Sequence, residues 1–145
     1  MKNIRHVLDQ KGRQVYAIHP DATVFAALKK MAEKNVGSMA VVEDGKLVGI
    51  FTERLYAREI ALKGRSSSNT RLRDVVSAAR EVARPEQTVE ECMAVMTDKA
   101  VRHLPVIENG ELVGIVSIGD MVKSVIGDQK FIIEQLELYI HGEHH

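Results

Sequence analysis

Met39-Ala40-Val41-Val42-Glu43-Asp44-Gly45-Lys46-Leu47-Val48-Gly49-Ile50-Phe51-Thr52 and Leu104-Pro105-Val106-Ile107-Glu108-Asn109-Gly110-Glu111-Leu112-Val113-Gly114-Ile115-Val116-Ser117 are one pattern written twice, 65 positions apart. In each copy two apolar runs flank an Asp-Gly or Asn-Gly pair. Such a pair tolerates positive φ at both central positions of a two-residue turn, so each stretch predicts a β-hairpin. The repeat extends outward without a gap: residues 20–55 lie on residues 85–120 with 13 identities in 36 positions, from Pro20/Pro85 to Ile50/Ile115. Chance at average residue usage would give about two or three, so the chain is an internal duplication.

Upstream of each hairpin, Val24, Ala27, Leu28 and Met31 recur at helical spacing, as do Val89, Cys92, Met93 and Met96. Each set predicts an amphipathic helix, capped by Thr23 or by Thr88, which has Glu91 at capping-box distance. A short strand precedes each helix and ends near Pro20 or Pro85. Downstream, a further helix is expected from Glu53 to about Lys63 and from Gly119 to about Ile126. The unit is therefore β-α-β-β-α. Apolar spacings at Ile4/Val7/Leu8 and Leu72/Val75/Val76 suggest an entry helix before each copy, and the polar run Lys63 to Asn69 reads as the linker. A last helix, about Gln129 to His141, carries Ile132, Leu136, Tyr139 and Ile140 on one face. The expected division is residues 1–65 and 66–128 for the two repeats with their entry helices, and 129–145 for the terminal helix and tail. Units this small bury their apolar faces poorly alone, so an α/β (α+β) body with pseudo-twofold packing of the copies is expected.

The composition narrows the function. Twenty Lys and Arg balance twenty Asp and Glu, so no overall field favours nucleic acid or an anionic membrane. Aromatics are 4%, with no Trp, which leaves few platforms for stacked bases. The single Cys92 excludes an internal disulfide and lies on an apolar stripe. No apolar run has the length of a membrane span, and the expected location is cytoplasmic. His141, His144 and His145 cluster at a terminus without the fixed geometry a metal needs, so no metal site is expected.

The doubled β-α-β-β-α unit, and above all Gly114-Ile115-Val116-Ser117-Ile118-Gly119-Asp120, resembles the cystathionine β-synthase (CBS) domain family in its tandem, stand-alone form. The resemblance covers about residues 15–126. It implies a regulatory module, without catalysis or catalytic cofactor, that binds an adenosine-containing ligand in the cleft between copies and signals by a change of shape or assembly. AMP or NAD leads, with ADP, ATP and S-adenosylmethionine as the other candidates. The family pattern puts phosphate on Thr52 or Ser117 and ribose on Asp120. It puts adenine near Ala40 or Pro105, with backbone contacts around Ile18 or Ala83. Arg102 and His103 take the place of phosphate-reaching residues, with Gly37 and Ser38 as their counterparts, and Arg54 and Arg58 add cations. Leu55 stands where the repeat expects the second aspartate, so the two sites should be unequal.

Plainer roles compete. Ser117 and Asp120 could be a helix cap and a first-turn acid, and the arginines a solvated face. A dimerisation module with degenerate pockets is the alternative function. An enzyme is disfavoured, because Gly114-x-x-Ser117-x-Gly119 is one residue too long for a nucleophile elbow. Unclaimed apolar surface on the terminal helix, with Met121, Val122, Val125 and Ile126, predicts a homodimer, and the regulated target is expected to be another protein.

Overall fold

Both predicted hairpins form, and with one geometry. In the computed structural model, which describes residues 2–143, strands β2 (Ser38–Glu43) and β3 (Lys46–Thr52) pair antiparallel, as do β4 (His103–Glu108) and β5 (Glu111–Ser117). Asp44, Gly45, Asn109 and Gly110 all adopt positive φ, as the tight turn requires. Even the irregularities match: the register slips between Val41 and Val42 in one hairpin and between Val106 and Ile107 in the other. A short parallel strand, β1 (Ala17–Ile18), flanks β2, with Ile18 opposite Val41. Its counterpart shrinks to a single bridge between Ala83 and Val106.

Helices α2 (Val24–Lys34) and α4 (Val89–Lys99) precede the hairpins. Thr23 and Thr88 cap them by accepting from the backbone N–H three residues on, each at 3.1 Å. Behind β3, one α-helical turn, α3 (Glu53–Tyr56), relaxes into a π-helical turn, Ala57–Ala61. Behind β5, the two expected helices are one: α5 runs from Ile118 to Glu143. Gly127 lies inside it, and a helix-interior glycine costs only about 1 kcal/mol, too little to end a helix so rich in apolar residues.

The entry segments depart further from expectation. The first is a true helix, α1 (Ile4–Lys11), nucleated by a capping box in which Asn3 and His6 bond each other's backbone N–H. The second is only a 3₁₀ turn, Leu72–Asp74, because Arg71 offers no side-chain cap and β-branched Val75 and Val76 follow.

The two segments also exchange partners. Ile4, Val7 and Leu8 are buried in one core with Val89, Cys92, Met96, Leu104, Val116 and Met121, all from the second copy. Leu72 and Val76 complete the other core, with Val24, Met31, Met39, Phe51 and Ile60 of the first. Backbone bonds fix the swap: Ile4 and Arg5 donate to Gln87 and Pro85, while Leu72 and Arg73 donate to Ala22 and Pro20. Each entry arginine then grips two carboxylates of its adopted copy, Arg5 on Glu86 and Glu108, Arg73 on Asp21 and Glu43. The sequence division 1–65 and 66–128 thus separates the copies along the chain, whereas each copy in space carries the other's entry segment.

This exchange explains Gly49 and Gly114. A Cβ on Gly49 would collide with the Ser77 carbonyl oxygen and sit 2.5 Å from Val76 Cγ1, and one on Gly114 would sit 2.6 Å from Leu8 Cδ2. The strand glycines therefore admit the exchanged segments. No helix is long and apolar enough to cross a membrane among the described residues.

Candidate functional site

Two clefts lie where the copies meet, and they are mates under the repeat. The larger, of about 730 Å³, is walled by Ile50 and Thr52 of β3 with Leu55 of α3, by Ser77–Glu81, and by Ala100–His103 with Pro105 from the second copy. The smaller, of about 350 Å³, is walled by Ile115 and Ser117, by Gly12 and Gln14–Tyr16, and by Val36–Ser38. Each wall of one is the repeat image of a wall of the other. His103 and Gly37 border both.

Of the residues singled out from sequence, Thr52, Arg54, Arg58, Arg102, His103 and Pro105 gather in the large cleft. Ser38 and Ser117 line the small one with His103, and Asp120 stands behind Ser117. Ile18, Ala40 and Ala83 line neither. Ala40 and Ala83 are fully buried, and Ile18 packs at the edge of the first core. The Ala83 N–H and carbonyl are already bonded to Pro105 and Ile107, since the single-bridge pairing consumes them. Ser77–Glu81, with Arg80, went unnoticed in the sequence. Its signal was positional: it mirrors the stretch before β1 across the repeat.

The large cleft is cationic. Arg54, Arg58, Arg80 and Arg102 line it against two carboxylates, Glu53 and Glu81. Arg54 Nη1 donates to the Ala100 carbonyl at 2.9 Å and so closes the end of α4. Arg58, Arg80 and Arg102 are exposed and form no ion pair among the described residues. Ile50, Leu55, Val101 and Pro105 supply an apolar wall beside them. An anion carrying a planar apolar group meets complementary chemistry on both sides.

Helix starts contribute less than the sequence suggested. Thr52 Oγ1 accepts from Leu55 N at 3.0 Å and Ser117 Oγ from Asp120 N at 3.1 Å, so both hydroxyl oxygens cap their helices. Glu53 N and Ile118 N donate to the Gly37 and Arg102 carbonyls. In the second copy the cap is reciprocal, with Ser117 N donating to Asp120 Oδ2 at 2.8 Å. The same oxygen accepts from Lys11 Nζ at 2.6 Å. Burial alone would raise the Asp120 carboxyl, but the Lys11 ammonium and the Ser117 amide outweigh it and hold the group below its ordinary value. Burial, then the nearby Lys11 charge, pushes His103 down, so its imidazole is neutral at neutral pH.

His19, Asp21 and Glu43 come close enough to bracket a cation. The Arg73 guanidinium already bonds both carboxylates, at 2.9 Å to Asp21 and 2.6 Å to Glu43. Arg5 does the same with Glu86 and Glu108 in the other copy, which marks the cluster as the clamp for an entry segment. Cys92 is buried, and burial raises its thiol to about 11, which leaves it inert at neutral pH. His144 and His145 lie outside the described residues.

Comparison with known proteins places this geometry. The family described as CBS domain matches twice, over residues 4–61 and 72–127. The mitochondrial CBS domain-containing protein CBSX3 of Arabidopsis thaliana is 40% identical over 127 residues, covering 84% of this chain and 62% of that protein. Inosine-5'-monophosphate dehydrogenase of Thermoplasma acidophilum is 34% identical over 120 residues, 82% of this chain but 22% of that enzyme. Among solved structures, a protein with CBS domains from Burkholderia ambifaria superposes with a TM-score of 0.84 at 43% identity, covering 88% of this chain and 96% of that one.

Proposed function

The chain belongs to the CBS domain family, as two copies in tandem, and from that membership we propose that it is a nucleotide-sensing regulatory module whose working site is the large cleft. The observation that carries this is the trio Arg58, Arg80 and Arg102, unpaired with any carboxylate among the described residues, facing the apolar wall of Ile50, Leu55 and Pro105. Phosphates of AMP, ADP, ATP or NAD would take the guanidiniums, and the adenine would lie against Pro105 and Leu55. With Leu55 replacing an acid, Glu53 and Glu81 are the carboxylates there that could accept ribose hydroxyls. S-adenosylmethionine, being cationic at sulfur, suits the arginines less well. The cleft draws its walls from both copies, so occupancy would bias how they sit together and report the nucleotide to a protein target.

A screen of the five ligands by thermal shift, on protein stripped of carried-over nucleotide, tests the proposal. A ligand at a hundredfold excess over its Kd adds about 2.7 kcal/mol, a rise of several degrees. Arg102→Ala is expected to weaken binding about 10- to 150-fold, the worth of a charge-assisted hydrogen bond. Failure of all five ligands to move the melt would instead favour a dimerisation module.

That second reading has its own observation. Phe131, Ile132, Ile133, Leu136 and Leu138 on α5 are each more than half exposed, on more than one face of the helix. A helix apolar around so much of its girth belongs inside an assembly, and a twofold partner is the commonest arrangement. Light scattering is expected to give twice the 16.1 kDa of the chain, and Leu136→Glu to return it to one.

A further inference from the structure

The two clefts differ in volume by about half, and the smaller is lined by one charged side chain, Lys11, that has no counterpart in the larger. The entry segments correspond as Ile4 with Leu72 and Leu8 with Val76, whereas the repeat bodies correspond as Thr23 with Thr88. The stretch between entry contact and body is therefore longer on the N-terminal side, and the surplus forms the last turn of α1, ending in Lys11. Val76 leads straight into the extended wall of the large cleft, with no such turn. Lys11 Nζ reaches over the small cleft and bonds both the Ile115 carbonyl, at 2.7 Å, and Asp120 Oδ2, at 2.6 Å. Its stem is not loose: α1 is capped by Asn3, clamped through Arg5, and seated by Leu8 against Gly114. The pairing is also absent as a unit from the other side, where Leu55 replaces the acid and no lysine is supplied.

We propose that Lys11 is a built-in plug: its ammonium occupies the position in the small cleft that a ligand's polar groups would take on Asp120 and Ile115, so that one chain holds one nucleotide and not two. The proposal rests on the nucleotide reading of the large cleft, and it makes Lys11 the residue that sets occupancy. A ligand entering the small cleft must first break two hydrogen bonds of a half-buried ion pair, whereas the large cleft asks for no such displacement.

The test uses the full chain, stripped of nucleotide, with AMP as the probe. Calorimetry is expected to give one equivalent of AMP per wild-type chain and two for Lys11→Met, which keeps the stem and removes the charge, while Lys11→Arg stays at one. A Lys11→Met chain that melts cooperatively yet still binds one equivalent overturns the plug. Reductive methylation without AMP reads the contact by itself: Lys11 is expected to react about tenfold more slowly than exposed Lys29. Equal rates overturn the plug whatever AMP does. Protection of Lys11 in a chain that binds no AMP would sink the nucleotide reading and still support the plug.

Discussion

Gly49→Ala is expected to lower the melting temperature by about 10 °C, and Gly114→Ala by much less. Both glycines occupy equivalent strand positions, and each accepts an exchanged entry segment, yet their neighbours differ in kind. The methyl introduced by Gly49→Ala would meet the carbonyl oxygen of Ser77, part of a backbone held in the wall of the large cleft, together with Val76 Cγ1. Backbone can yield only by moving the segment. The methyl introduced by Gly114→Ala would meet the end of the Leu8 side chain at 2.6 Å, and a leucine can change rotamer. Overpacking a well-filled site costs about 1–3 kcal/mol, and the rigid neighbour puts Gly49→Ala at the upper end. At a few degrees per kcal/mol for a chain of this size, the two variants separate clearly in a scanning melt. Gly49→Ala should also weaken nucleotide binding, because the displaced segment carries Arg80. Equal melts for the two variants would show that the entry segments give way more easily than their packing implies.

What the sequence disclosed and what it hid divide along one physical line. Features set by residues close in the chain were legible: the positive-φ turns at Asp44-Gly45 and Asn109-Gly110, the threonine caps, the apolar stripes of α2 and α4. The duplication multiplied each signal by two. Features set by packing were not. Periodicity at Ile4/Val7/Leu8 announces a buried helix face without naming what buries it, and chain order suggested the wrong neighbour. The same limit governed the site. Thr52, Arg54 and Arg58 were read as the first copy's site and Arg102, His103 and Pro105 as the second's, yet all six line one cleft between the copies. Asp120 was identified too, but its partner was not, since Lys11 is 109 residues away and arrives only through the exchange. Arg80 was missed for the same reason: nothing local to Ser77–Glu81 says that it faces the arginines of both copies.

The exchange itself makes the second large prediction. Ile4→Ala with Leu8→Ala, both in α1, should unravel the second copy and not the first. Each side chain is fully buried, and truncating such a residue costs about 2–5 kcal/mol. The pair shares one helix, so the costs will not simply add, but a loss of about 5 kcal/mol equals the whole stability of a marginal domain. Hydrogen exchange locates the damage. Amides of α4, β4 and β5 are expected to lose protection first, because Val89, Cys92, Leu104 and Val116 line the core from which Ile4 and Leu8 are removed. Those of α2, β2 and β3 should hold, since their core is completed by Leu72 and Val76. Leu72→Ala should reverse the pattern. Loss of protection in α2, β2 and β3 on truncating α1 would mean that each entry segment serves the copy it precedes. In that case Lys11 would not reach Asp120, and the small cleft would carry no plug.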